Sequence, residues 1–244
     1  MTAPPMVAVT GATGPIGAEI CRALARTIPV VVGLYRSRHD RADALGAEIA
    51  AAGGDFRPLR CDLLEPDGPQ RAVRDLKATA GAPTVVVLAA GAKVRGPALT
   101  ARPDAVGPLL HLNVAAQIEF ARLTLKDMIK ARHGRIVVIG SRAGQAGLPG
   151  QAAYAASKAA LAAWAASLAG EVGGFGITVN VVSPGAMEDR DSYSAEEQHR
   201  VVERIGCARL GTPRDVAAAV AFLASAEAAY INGTTLAVDG GARF

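Results

Sequence analysis

Short β-branched runs alternate with longer alanine-rich segments of helical period along the chain. That alternation restricts the fold to a parallel sheet with helices on both faces. Seven strands are expected, at Met6–Thr10, Pro29–Leu34, Phe56–Cys61, Thr84–Ala89, Arg135–Gly140, Ile177–Ser183 and Thr234–Val238. Most are too continuously apolar for a sheet with one solvated face. Helices are expected over Pro15–Thr27, Asp40–Ala52, Gly68–Ala80, Pro103–Ala131, Gln151–Val172 and Pro213–Ser225, with Thr212 ahead of Pro213 as an N-cap ahead of an N1 proline. Residues 186–206 are the least apolar part of the chain and read as a substrate flap or a solvated short helix.

A chain of 244 residues, half of them hydrophobic, can bury a full core, and its length suits one α/β domain over 1–244. No run of eighteen apolar residues occurs, so no membrane span is expected. The amino end Met1-Thr-Ala-Pro-Pro lacks the regions of a signal peptide, and the expected location is the cytoplasm. Three widely separated cysteines, Cys21, Cys61 and Cys207, have neither disulfide nor metal-ligand spacing, so reduced thiols and no metal are expected. The net charge of +4 raises nucleic acid as a partner, but the arginines are scattered and aromatics make up only 4% of residues. Stacking platforms are therefore scarce, and no nucleic-acid binding is expected.

The first strand runs into Gly11-Ala-Thr-Gly14-Pro-Ile-Gly17 and a helix follows at once. Glycines there let the backbone turn sharply and approach a pyrophosphate, which the orphan N–H groups and the dipole of the helix would meet. Dinucleotide folds that select NAD place a carboxylate at the end of the second strand, where it accepts from the ribose 2′-OH. Here that end reads Leu34-Tyr35-Arg36-Ser37-Arg38, with no acid and two guanidiniums able to pair a 2′-phosphate. NADPH is the expected cofactor, with Arg36 its leading phosphate contact. Asp62, just past the third strand, is suited to accept from the adenine amino group or to cap the next turn.

Tyr154 and Lys158 stand one helical turn apart, thirteen residues after Ser141 at the end of a strand. A phenol with an ordinary pKa of about 10 is a poor acid or base near neutrality unless a fixed cation favours its anion. At i and i+4 the two side chains share a helix face, about 6 Å apart along the axis, so Lys158 can serve as that cation. With four tyrosines and five lysines in the chain, such a pair also arises by chance. Its context, with Ser141, the glycine turn and Asn113 in a separate helical segment, gives it meaning.

These pieces resemble the short-chain dehydrogenases/reductases. The resemblance rests on the Thr10-to-Gly17 turn, Cys61-Asp62-Leu63, Leu112-Asn113-Val114, Ile139-Gly140-Ser141, Tyr154-to-Lys158, Ser183-Pro184-Gly185 and Val238-Asp239-Gly240-Gly241. Within the family, His133-Gly-Arg-Ile136, Gly176-to-Val182 and Arg209-to-Val216 look most like the β-ketoacyl-ACP reductases of fatty-acid and polyketide synthesis. The resemblance implies a Rossmann fold with strand order 3-2-1-4-5-6-7 and a catalytic set of Asn113, Ser141, Tyr154 and Lys158. In that set Tyr154 gives a proton to a carbonyl oxygen and Ser141 donates a hydrogen bond to it. Lys158 lowers the Tyr154 pKa and holds the nicotinamide ribose, while Asn113 stabilises a helix break and fixes a water that resupplies the proton. Cofactor contacts are expected from Gly11, Thr13, Gly14, Ile16, Gly17, Tyr35, Arg36, Ser37, Asp62, Leu63, Ala90, Gly91, Tyr154, Lys158, Pro184 and Gly185.

Three departures from the family pattern stand out. Pro15 occupies a position that is glycine in the shorter branch. Leu88-Ala-Ala-Gly91 replaces Asn-Asn-Ala-Gly, so amide bracing after the fourth strand is lost. Asp189 stands where a threonine commonly bonds the nicotinamide carboxamide. An acidic acyl carrier protein would dock on basic residues, for which Lys126, Lys130, Arg132 and Arg135 are candidates. Arg132 matches a docking position of the fatty-acid reductases, and Phe175 stands at a second. The alanines of the two long helices, Pro103–Ala131 and Gln151–Val172, suit close packing between subunits, and a homotetramer is expected. The activity implied is NADPH-dependent reduction of a 3-oxoacyl chain on a carrier. A reductase of a free ketone or alcohol and a non-catalytic nucleotide sensor are the rival readings.

Overall fold

The computed structural model describes residues 5–188 and 194–243, so Asp189, Arg190 and Asp191 lie outside the described residues. In chain order the elements begin β1 (Met6–Thr10), α1 (Pro15–Leu24), β2 (Val30–Tyr35), α2 (His39–Ala51), β3 (Asp55–Arg60), α3 (Gly68–Ala80) and β4 (Val85–Leu88). After a 3-10 turn at Ala98–Thr100 come α4 (Pro103–Leu110), a π-turn (His111–Ala115), α5 (Ala116–Ala131), β5 (Gly134–Ile139), α6 (Ala143–Ala146) and α7 (Ala152–Val172). A 3-10 turn (Gly173–Phe175), β6 (Ile177–Pro184), α8 (Ala195–Val202), α9 (Pro213–Ala224) and β7 (Thr235–Val238) complete the described chain. All seven strands join one parallel sheet in the order β3-β2-β1-β4-β5-β6-β7, as expected.

The strands are apolar throughout because both faces of the sheet are covered. Along β1, Met6 and Ala8 point into one core layer with Phe120, Leu161 and Leu168, while Val7 and Val9 point into the other with Ile20, Leu45 and Val220. Every β1 residue is buried. At about 1.5–3 kcal/mol for each large apolar side chain removed from water, this two-sided burial is the main favourable term in folding the sheet. The edge strands differ: β3 mixes partly buried and exposed residues, and the two middle residues of β7 are exposed.

Helix α9 begins as anticipated, with Thr212 and Asp215 forming a reciprocal capping box ahead of Pro213. The Arg209 guanidinium and the Thr212 groups hold the Asp215 carboxyl well below the usual range. The flap region carries α8, capped by Ser194 and exposed along most of its length.

The helix expected over Pro103–Ala131 is interrupted at Asn113, where the resemblance implies a break. Five residues adopt a π-turn centred on Asn113, and the Gln117 side-chain Nε2 donates to the Leu112 carbonyl at 3.3 Å. Such a turn re-aims one side chain inward without ending the helix.

Candidate active site

The turn after β1 is shaped by steric necessity. Gly11 has φ +71°, and a Cβ there would lie 2.7 Å from the Ala90 Cα. A Cβ on Gly17 would lie 2.2 Å from the Gly11 carbonyl oxygen, so α1 can start this close to the strand only on a glycine. Gly14 caps α1 and Pro15 takes its first turn, where a missing N–H costs least.

Above this turn opens a cavity of about 410 Å³. It collects Gly11, Thr13, Gly14, Tyr35, Arg36, Ser37, Asp62, Leu63, Ala90 and Gly91 from the expected cofactor contacts, together with Arg38. The remaining contacts do not line it. Ile16 packs into the core layer beneath, Gly17 is buried under the turn, and Pro184 and Gly185 sit at the end of β6. Asp62 takes its capping role, accepting from the Leu64 N–H at 2.9 Å, while still lining the cavity. Glycine backbone at one end and guanidinium and hydroxyl groups at the other make a donor set that fits a phosphorylated dinucleotide.

Gly91 joins this cavity to the catalytic candidates. A Cβ on it would stand 3.1 Å from the Asn113 Oδ1 and 3.6 Å from the Lys158 Nζ. Asn113 is fully buried: its Oδ1 accepts from the Ala92 N–H at 2.8 Å, and its Nδ2 donates to the Ala92 carbonyl and the Ser157 Oγ, both at 3.0 Å. Bracing after β4 therefore survives the loss of asparagines from Leu88-Ala-Ala-Gly91. Thr10 supplies the rest, its Oγ1 accepting from the N–H groups of Ala89 and Ala90 at 3.0 Å while facing the Gln117 Oε1 at 3.0 Å.

Ser141, Tyr154 and Lys158 converge beside this loop. The Ser141 hydroxyl accepts from the Ala143 N–H at 3.2 Å and acts on the Tyr154 phenol so as to favour its anion. Lys158 Nζ donates to the Ile139 carbonyl at 2.8 Å and stands 5.9 Å from the Tyr154 ring centre. Burial pulls the Lys158 ammonium down to about 8 from the ordinary lysine value.

Tyr154 departs from expectation. Burial raises its phenol above the usual tyrosine value, and the Ser141 hydroxyl pulls it back only in part. Lys158, bound to a carbonyl and facing the ring, does not lower it in this geometry because desolvation of the phenolate outweighs a cation held off the oxygen. Sequence reasoning also missed Lys93, whose Nζ is 5.5 Å from the Tyr154 ring centre. It stands in the loop after β4, where no periodicity or motif marks it.

One docking candidate has to be withdrawn. Arg135 is only 5% exposed, and its guanidinium donates to the carbonyls of Ser225, Gly134 and Gly176. Its place at the start of an all-buried strand turns it inward to satisfy those carbonyls. Lys126, Lys130 and Arg132 remain exposed. Arg132 and Phe175 meet, with the guanidinium carbon 5.9 Å from the ring centre and Nη2 donating to the Gly174 carbonyl. Among the described residues no helix is long and apolar enough to cross a membrane, and no group of three or more His, Cys, Asp or Glu side chains could hold a metal.

The family model described as Enoyl-(Acyl carrier protein) reductase matches residues 11–243. The chain is 35% identical over 235 residues to the 3-oxoacyl-[acyl-carrier-protein] reductase FabG of Escherichia coli (strain K12), covering 96% of this chain and 95% of that protein. The FabG of Vibrio cholerae serotype O1 is 33% identical over 237 residues, with 96% and 95% covered. Nodulation protein G of Rhizobium sp. (strain N33) is 34% identical over 235 residues, with 96% and 94% covered.

Proposed function

The chain belongs to the short-chain dehydrogenase/reductase family of oxidoreductases, and on that premise we propose that it is an NADPH-dependent ketoreductase reducing a 3-oxoacyl thioester, carried on acyl carrier protein, to the 3-hydroxyacyl product. The observation that carries this reading is the approach of Lys158, which faces the Tyr154 ring, to Gly91, a residue that lines the cavity above the Gly11–Gly14 turn. When bound, a nicotinamide dinucleotide supplies the hydride.

In this reading the Gly11, Thr13 and Gly14 backbone holds the pyrophosphate, and Arg36 with Ser37 holds a 2′-phosphate. Tyr154, protonated at neutral pH at its ordinary value of about 10 and held further that way by burial, gives its proton from the phenolic oxygen to the substrate carbonyl oxygen. Ser141 orients that oxygen by donating a hydrogen bond. Lys158 engages the ribose, and water resupplies the proton to Tyr154. The side-chain amide of Asn113 is spent on Ala92 and Ser157, so any water it holds for proton resupply is held by its backbone. The enzyme works in the cytoplasm as a homotetramer.

A reductase of free ketones is the second reading, favoured by the inward turn of Arg135 and by Phe175 at a docking position. Both reduce the basic surface on offer to an acidic carrier. Oxidation of NADPH and NADH is followed with 3-oxoacyl chains on acyl carrier protein and on short thioesters. Fast turnover with NADPH and carrier-bound chains is expected. Equal rates with NADH overturn the role of Arg36, and turnover of free ketones alone establishes the second reading.

A further inference from the structure

We infer that Arg142 and Asp239 form a tie that positions Ser141 against Tyr154 and anchors the carboxyl-terminal base of the flap, making both of them positioning residues for proton donation. The inference rests on the proposed role of Tyr154.

Arg142 is the residue after Ser141, and its Nε lies 2.7 Å from the Asp239 Oδ2. The two side chains are only 24% and 11% exposed, unlike the surface pairs such as Arg122–Glu119, where the arginine is 62% exposed. Asp239 is engaged twice, since its Oδ1 accepts from the Gly241 N–H at 3.0 Å. Around the pair three strand ends are pressed together. The Arg142 N–H donates to the Pro184 carbonyl at 2.9 Å and the Gly185 N–H to the Val238 carbonyl at 3.0 Å. A Cβ on Gly185 would lie 2.6 Å from the Asp239 Cβ.

Past Asp239, the same segment holds the end of the flap. The Cys207 N–H donates to the Gly240 carbonyl at 2.9 Å, the Arg243 N–H to the Arg204 carbonyl at 2.9 Å, and Ile205 bridges Ala242. One guanidinium thus joins the serine loop to the strand from which the flap's far end hangs. Removing Arg142 leaves the Asp239 carboxylate without this ion pair in a sheltered site, and removing Asp239 takes from the guanidinium its tie to the segment after β7 while Gln145 still accepts from it.

The Ser141 hydroxyl already accepts from the Ala143 N–H, which aims its proton outward to Tyr154 or to a substrate oxygen. A drift of this loop therefore carries away the hydroxyl that tempers the phenol. Tyr154 is faced, among the described residues, by Lys158 from its own helix, by Lys93 from the loop after β4 and by Ser141. Neither lysine is on the Arg142 loop; loss of the Arg142 cation alone would also raise the phenol, but Asp239→Asn keeps that cation, so a rise in that variant reports on Ser141.

The test uses Arg142→Ala, Asp239→Asn, Arg142→Lys and the charge-swapped pair Arg142→Asp/Asp239→Arg. The Tyr154 titration is followed by ¹³Cζ-tyrosine NMR without substrate, and kcat and KM are measured with a 3-oxoacyl thioester. In Arg142→Ala and Asp239→Asn the phenol is expected to titrate at higher pH than in the wild type. The kcat is expected to fall about 10- to 100-fold, as for a displaced catalytic group, with KM for the nucleotide within twofold. Arg142→Lys restores most of both. A wild-type Tyr154 titration in the variants, with only the melting temperature lowered, overturns the inference. Absence of wild-type turnover with every thioester sinks the proposed substrate, while the NMR titration still decides the tie.

Discussion

The nucleotide end and the proton-transfer end of this molecule are built by opposite means. At the first, the working groups are backbone: Gly11 and Gly17 are required because any Cβ would strike Ala90 or the Gly11 carbonyl, and the cavity follows from that turn. At the second, they are side chains taken out of water, where burial shifts Tyr154 up and Lys158 down against their ordinary values. A steric site tolerates no added atom. An electrostatic site tolerates atoms but not a change of partner.

The sharpest break of that contrast is Tyr154→Phe, which adds no bulk. It is expected to lower kcat by about 10²- to 10⁴-fold while nucleotide binding, read by fluorescence titration, stays intact. Lys158→Met should also abolish most turnover, yet raise the melting temperature. The lysine carries its charge at neutral pH against a desolvation cost, and its folded pKa of about 8 lies below the ordinary value of 10.5. The unfolded chain therefore holds the proton more firmly. The gain from Lys158→Met is expected in full below about pH 8 and should vanish by about pH 10.5 in melts run across that range.

At the steric end, Gly17→Ala should cost about 3 kcal/mol of stability and remove dinucleotide binding, measured by denaturant unfolding and titration. Gly107→Ala, with nothing within 4 Å of the added methyl, is the control that leaves binding unchanged. The smallest effect belongs to the brace between the two ends. Thr10→Val leaves the N–H groups of Ala89 and Ala90 without their acceptor and should cost about 1–2 kcal/mol, whereas Thr10→Ser should be nearly neutral.

Much of the fold was legible because two-sided burial writes itself as continuous apolar runs. The seven strands fall within one residue of their expected bounds, six of them where apolar residues cluster and β3 (Asp-Phe-Arg-Pro-Leu-Arg) without such a run, and α3 spans Gly68–Ala80 as read. Gly17 was legible for a local reason, since the Gly11 carbonyl it must clear is six residues away, whereas the Ala90 backbone that requires Gly11 is 79 positions along the chain. The π-turn at Asn113 was not legible from periodicity, since the residues that hold it, Ala92 and Ser157, are 21 and 44 positions away. Arg135 misled for a related reason. A guanidinium in a basic stretch reads as surface until three carbonyls from distant segments close around it.

By itself, then, the sequence determined the layered parallel sheet, the need for glycine at Gly17 and the one-turn spacing of Tyr154 and Lys158, since each depends on periodicity or on near neighbours along the chain. Only the tertiary structure decided the protonation bias of those two groups, the replacement of the missing asparagines by Thr10 and Asn113, and the meeting of Arg142 with Asp239. Burial and hydrogen bonding across 20 to 100 residues of sequence are properties of the packed molecule, set by which surfaces exclude water from which groups.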